Sequence, residues 1–255
     1  MKYYEQFVQL GLFTYADAKK VIGTESATVN LLQTYIQKGY LAKIRRGLYT
    51  AINFVDQEPV TNKFAVASAL TNTAVVSHHS AFEYYGYSNQ VSYDICVSSE
   101  SKFNSFDFAG FHYHRVKPNI SDGIIDEAGG VAVTDIERTV LDGISDFEND
   151  MGFEELMKCI SAVPFLNEDK LISYLSQYNK CFLYQKTGFI LEHLQSELSI
   201  SDALIQHCKE QSGNSSRYLI KNTPKETLDF NNKWHLTIPQ NLWQNVNGGD
   251  LYADV

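Results

Sequence analysis

The sequence is short of the features that would tie a chain to a membrane, a metal or a cofactor. None of its 255 residues belongs to a run approaching the ~20 uncharged apolar residues needed to cross a bilayer. The opening segment MKYYEQFVQLGLF carries Glu5 and Gln6 where a signal peptide needs unbroken apolar residues. A cytoplasmic location is therefore expected. Cys96, Cys159, Cys181 and Cys208 are scattered without CxxC spacing, each beside apolar neighbours, the pattern of reduced thiols used as small core residues. Neither zinc nor a disulfide framework is indicated. There is no internal repeat, no low-complexity tract, no Gly-x-x-x-x-Gly-Lys loop and no dinucleotide fingerprint, so phosphate-cofactor enzymes lack support.

What is present is a globular composition with an uneven charge. An apolar content of 44% with 13% aromatics suffices to close a core in one large or two modest domains. The net charge of -9 argues against nucleic acid until its distribution is considered. Residues 1–50 hold seven bases (Lys2, Lys19, Lys20, Lys38, Lys43, Arg45, Arg46) against three acids (Glu5, Asp17, Glu25), or +4, and the remainder carries -13. A small basic head on an acidic body is informative where the total is not. Such a body is expected to lie away from any duplex the head binds, because like charges repel.

The periodicity of the head predicts three helices and a hairpin. Tyr3, Phe7 and Leu10 give a first helix one apolar face over residues 2–10. Thr14, with Asp17 three positions on, forms an acidic variant of the capping box for a second helix over Tyr15–Ile22, which Gly23 stops. Ser26 is the expected cap of a third helix over residues 27–38. At about 100° per residue its Val29, Leu32 and Ile36 share one face with Tyr35 at the edge. Asn30, Thr34, Gln37 and Lys38 point the other way with Gln33 on the flank, amide and hydroxyl groups suited to base edges in a major groove. Residues 40–44, the turn Arg45-Arg46-Gly47 and Leu48–Ala51 read as two short strands around a tight turn. A basic hairpin directly after a recognition-type helix reads as a wing, with Lys43, Arg45 and Arg46 placed to hold phosphates. The candidate DNA-contacting residues are thus Ser26, Thr28, Asn30, Gln33, Thr34, Gln37, Lys38, Lys43, Arg45 and Arg46. The plainer reading is a three-helix cap with a surface hairpin used for packing or protein contact.

The run LLQTYIQKGYLAKIRRGLYT resembles the N-terminal winged helix of the AbiEi family, the antitoxins of bacterial type IV toxin-antitoxin (abortive infection) systems. The likeness rests on Lys38-Gly39, Leu41, Lys43 to Arg45, and the closing Arg46-Gly47-Leu48-Tyr49. SHHSAFEYYGY, from Ser77 to Tyr87, is similar to the family element Ser-x-x-Ser-Ala-x-x-x-x-Gly. VTDIERTVLDGI, from Val133 to Ile144, resembles its later helix with Arg-Thr-x-x-Asp. The likeness covers about residues 1–145. It implies a chain that represses its own operon through the head while the larger part counters a nucleotidyltransferase-like toxin, without a stable complex and without catalysis. One recognition helix and one wing cover only a half-site, so cooperative binding to paired or inverted repeats of double-stranded operator DNA is expected.

The expected fold class is α+β: a winged helix-turn-helix over 1–52, a boundary or short linker at 52–60 containing Pro59, and a C-terminal domain over 60–255. That domain divides into a mixed α/β core over about 60–150, a mainly helical part over 151–211 and short strands over 212–255. In the core, helices are expected over residues 62–70, around His79 to Tyr85 and over residues 136–144 behind Asp135; strands are expected over 73–77, 93–97, 108–116 and 130–134. Further helices are expected over 153–162, Glu168–Tyr178, about 184–198 and Asp202–Gln211, with strand-like patches at 217–220 and 234–238.

Residues suited to catalysis or metal binding have bland readings. His78, His79, His112 and His114 invite a metal, yet no carboxylate or cysteine stands at ligand spacing beside either pair. Ser80 near the first pair lacks a nucleophile elbow, and helix capping by Ser77 or Ser80 is the plainer reading. Glu168-Asp169-Lys170 reads as the acidic first turn of a helix rather than a nuclease signature. Arg138 and Asp142 fit an exposed i,i+4 pair worth a few tenths of a kcal/mol, with a partner surface as the second reading. No cofactor and no metal are expected. The competing functional classes are a DNA-processing enzyme guided by the head and a protein-interaction module that never touches DNA.

Overall fold

A computed structural model describes residues 2–221, 224 and 227–248; the last stretch of the expected strand region, 249–255, lies outside them. The fold is mixed α+β, with twelve helices and twelve strands among the described residues. No helix among them is long and apolar enough to cross a membrane.

The chain opens with α1 (Tyr4–Leu10), β1 (Leu12–Thr14), α2 (Tyr15–Ile22), α3 (Glu25–Gln37), β2 (Leu41–Arg45) and β3 (Leu48–Ala51). The expected capping box is present: the Thr14 hydroxyl accepts from the Asp17 backbone N–H, and the Asp17 carboxylate accepts from the Thr14 backbone N–H at 3.1 Å. Strand β1 was not legible, because three residues between two helices carry no readable alternation. It pairs antiparallel with β3, giving a sheet in the order β1-β3-β2.

Next come α4 (Lys63–Ser68), β4 (Val75–Val76), α5 (His78–Tyr84), β5 (Asp94–Ser98), β6 (Phe106–Phe108), β7 (Phe111–Val116), β8 (Ile124–Glu127), β9 (Val131–Thr134) and α6 (Ile136–Asp146). The single strand expected over 108–116 is a hairpin, β6 and β7, turning at Ala109 and Gly110 with Phe108 opposite Phe111. Strands β4 to β9 form a sheet in the order β6-β7-β5-β4-β9-β8, with β5–β7 and β4–β9 parallel. Asp135 caps α6, its side chain accepting from the Arg138 backbone N–H at 3.0 Å.

The helical part follows as α7 (Gly152–Ser161), α8 (Glu168–Tyr178), α9 (Cys181–His193), α10 (Gln195–Leu198) and α11 (Asp202–Gln211). The one long helix expected to end at 198 is thus two, broken at Leu194. Last are β10 (Arg217–Tyr218), β11 (Leu228–Asn231), β12 (Leu236–Pro239) and α12 (Leu242–Gly248), the strands ordered β10-β12-β11.

Packing divides the chain into two compact units. The first is Met1–Val75, Tyr93–Val116 and Asp126–Ala132; the second is Val76–Ser92, Lys117–Ile125 and Val133–Val255. Residues 1–52 therefore share a unit with the segment after them. The stretch expected as a linker is a hydrogen-bonded loop: Asn53 N–H donates to Glu58 O at 2.8 Å, Val60 N–H donates to Ala51 O at 3.0 Å, and Ile52 bridges to Pro59. Pro59 thus closes a turn. In the first unit a core gathers around Phe7, Phe13, Ala18, Leu32, Tyr35, Leu41 and Ala51. The second unit's core is larger and runs from Phe82 through α6 to α9 and α11 to Trp234 and Leu236.

Candidate nucleic-acid interface

The head's aromatic core fixes which face of α3 is left outside. Phe7 stacks on Phe13 with ring centroids 4.6 Å apart, and Tyr35 meets Phe7 edge-on at 6.4 Å. With Thr28, Leu32 and Tyr35 drawn inward, the opposite side of α3 faces solvent. Ser26, Asn30, Gln33 and Gln37 are all exposed. At about 100° and 1.5 Å per residue they fall within a stripe some 60° wide and about 16 Å long, nearly opposite the buried face. Thr34 and Lys38 are exposed along its edge.

Two expectations for α3 need correcting. Thr28 is fully buried, its hydroxyl donating to the Thr24 carbonyl at 2.6 Å, so it does not belong to any solvent-facing set. Val29, expected inside, is 41% exposed. Both follow from the phase of the helix, which the Leu32–Tyr35 pair sets rather than the β-branched residues. The helix also begins one residue before the expected cap: Thr24 is the N-cap and Ser26 sits in the first turn.

The hairpin's basic residues part company. Strict alternation would place Lys43 and Arg45 on one face, but the β2–β3 register shifts between them. Such a bulge re-aims the side chains beyond it. Arg45 turns inward, half-buried, and donates to the Leu70 carbonyl at 3.2 Å. Lys43 and Arg46 stay exposed, as does Lys38. The turn is held in place: Gly47 adopts φ +81, where a side chain would be strained, and its carbonyl accepts from the Tyr15 backbone N–H at 3.1 Å. The hairpin tip is thereby tied to the start of α2.

Two of the seven head bases are compensated locally. Lys19 pairs with Glu25 at 3.5 Å and Lys20 with Asp17 at 3.0 Å. Exposed pairs of this kind contribute little to stability, but they take positive charge away from α2, while Lys38 at the end of α3 and Lys43 and Arg46 on the hairpin stay exposed.

The second unit reverses the expectation for Arg138 and Asp142. Both are buried, at 1% and 2% exposure, and the Arg138 Nε donates to Asp142 Oδ2 at 3.3 Å. The guanidinium also donates to the Asp122 carbonyl at 2.6 Å, and Tyr178 donates to Asp142 Oδ1 at 2.5 Å. Lys170 reaches Asp135 and Glu137 from α8, and Tyr174 donates to Asp135 at 2.8 Å. Burial and the neighbouring carboxylates push both tyrosine hydroxyls well above their ordinary pKa, so they act as donors. The Arg-Thr-x-x-Asp motif is an internal clamp between α6 and α8, not a partner surface.

Sequence spacing also left His79 without ligand-type neighbours, and the fold supplies two. Glu155 and Cys159, one turn apart on α7, converge on the His79 ring. The separation of more than seventy residues hides this group from any motif search. The His112 ring meets Asp107 across the β6–β7 hairpin at 2.6 Å and stacks beside His114.

The protein is thus a two-unit α+β chain whose basic head pairs a polar helix face with an exposed hairpin. No protein-family model matches it, and no curated protein does. Among solved structures, the crystal structure of the Rv2827c protein from Mycobacterium tuberculosis is similar with a TM-score of 0.70 and 12% identity, covering 97% of this chain and 94% of that one. At that identity the likeness concerns the fold.

Proposed function

We propose that this chain binds double-stranded operator DNA through a winged helix-turn-helix formed by α1 to β3, and represses its own operon as the antitoxin of a type IV toxin-antitoxin system. The observation that carries the DNA half is the exposed, uncharged stripe Ser26, Asn30, Gln33 and Gln37 on α3, in a head whose Lys38, Lys43 and Arg46 are exposed as well. Amides suit base edges and cations suit phosphates, and α3 is of a width that enters a major groove. The hairpin then lies against the backbone or the adjacent minor groove. Arg45 and Thr28 have structural tasks in this reading and are not contacts. The antitoxin half rests on the three runs that resemble elements of the AbiEi family, and assigns residues beyond the head to countering a nucleotidyltransferase-like toxin without catalysis.

Gel-shift titration on the promoter region of its own gene tests the first half. Cooperative shifting is expected on DNA with two repeats, and Asn30→Ala with Gln33→Ala should reduce the preference over scrambled DNA by about 1–3 kcal/mol per lost base contact. Equal affinity of wild type for operator and scrambled sequence would contradict the base-reading role. Co-expression with a neighbouring nucleotidyltransferase-like reading frame tests the second half: growth rescue is expected from the full chain, and failure of rescue would overturn it.

A further inference from the structure

We propose that His79, Glu155 and Cys159 form a binding site for a borderline-soft divalent cation of the zinc type, in the interior of the second unit. His79 lies in the first turn of α5, its backbone N–H donating to Asp150 Oδ2 at 2.9 Å. Glu155 and Cys159 stand at i and i+4 on α7, one face of one helix. The three ligand atoms all lie within 4.8 Å of one another.

The separations fit coordination. For tetrahedral zinc with bonds of about 2.0 Å to N and O and 2.3 Å to S, nitrogen and oxygen ligands sit ~3.3 Å apart and oxygen and sulfur ~3.5 Å apart. The structure has His79 Nε2 at 3.4 Å from Glu155 Oε1, and Cys159 Sγ at 3.6 Å from the same oxygen. Closing any remaining gap between His79 and Cys159 takes a movement of about 1.3 Å at most. The Ser88 hydroxyl, 3.0 Å from His79 Nε2 and 2.8 Å from Glu155 Oε1, holds the place of a fourth ligand or of the water that fills it.

Charge points the same way. The Glu155 side chain is 11% exposed and that of His79 9%; Asp150 lies alongside. No lysine or arginine pairs with Glu155 among the described residues, so the His79 ring is the group there that could offset its charge, and only when protonated. Buried charge without a counter-charge is costly, and a divalent cation supplies it. Histidine, carboxylate and thiol together are the donor set that zinc takes and that magnesium and calcium do not. On binding, a metal–sulfur bond forms and the thiol proton leaves to solvent.

The test uses the full chain stripped with a chelator and titrated with Co²⁺. One equivalent is expected to give visible bands of tetrahedral intensity with a thiolate-to-cobalt charge-transfer band in the near ultraviolet, both abolished by added Zn²⁺. Cys159→Ala should lose the charge-transfer band, Cys181→Ser, at an exposed thiol elsewhere, should keep it, and Ser88→Ala should weaken binding by about tenfold or more. Circular dichroism establishes that each variant is folded. Absence of a thiolate band in the wild type overturns the proposal whatever the variants do, and so does a band that survives Cys159→Ala. Either result leaves the cluster as a hydrogen-bonded network.

Discussion

Asp17 and Asp142 show how far the setting of a carboxylate decides its weight. Asp17 sits at the surface, where hydrogen bonds from Thr14 and then the Lys20 ammonium hold its pKa down at about 2, against 3.8 ordinarily. Because the folded value is the lower one, its contribution is fully present above the unfolded value and fades as pH falls through the folded one. Comparing wild type with Asp17→Ala by chemical unfolding should show a gap of about 0.3–1 kcal/mol near neutrality; the gap should shrink between pH 4 and about 2. Asp142 is the opposite case, a buried anion held by Arg138 and Tyr178. Asp142→Asn leaves the buried guanidinium without its counter-charge and should cost about 3–5 kcal/mol, measurable as a lower denaturation midpoint. A loss of only a few tenths would mean that the pair is exposed to water after all. The sequence could not separate these two cases: Arg138 and Asp142 read as an exposed pair because nothing local announces that α8 will bring Tyr174, Tyr178 and Lys170 over this stretch of α6.

At the scale of elements, what was legible is what local chemistry dictates. The capping box of α2, the Asp135 cap of α6 and the bounds of α8 and α11 agree with the expected ranges, because caps and 3.6-residue periodicity act within a few residues. What was not legible depends on partners distant in sequence. Strand β1 exists because β3 offers it an edge, and the β6–β7 turn exists because Phe106 to Phe108 fold back onto β7. Within the candidate interface the same division holds. The polar stripe of α3 could be read from spacing, whereas the inward turn of Arg45 arises from a register shift that no alternation rule reports. Arg45 and its neighbours should therefore behave differently. Arg45→Ala, which breaks the bond to Leu70 O, should lower stability by about 1–2 kcal/mol and leave the salt dependence of DNA binding unchanged. A flattened salt dependence in that single variant would place its guanidinium on a phosphate.

For the whole molecule, the charge asymmetry assigns tasks along the chain. A head of +4 attached to a remainder of -13 concentrates any affinity for phosphate in the first fifth of the sequence. The larger remainder keeps a few of its ionisable groups inside, as in the Arg138–Asp142 clamp and the His79 cluster. The central claim is that the head holds DNA through Lys43 and Arg46 together with the α3 stripe. The most direct test is the slope of log Kobs against log salt on operator DNA, measured for wild type and for Lys43→Ala combined with Arg46→Ala. Each phosphate contact contributes close to one unit of slope. The double variant should flatten the slope by about 2 and weaken binding to operator and scrambled DNA alike, with its unfolding midpoint unchanged. An unaltered slope and affinity in the folded double variant would contradict the account.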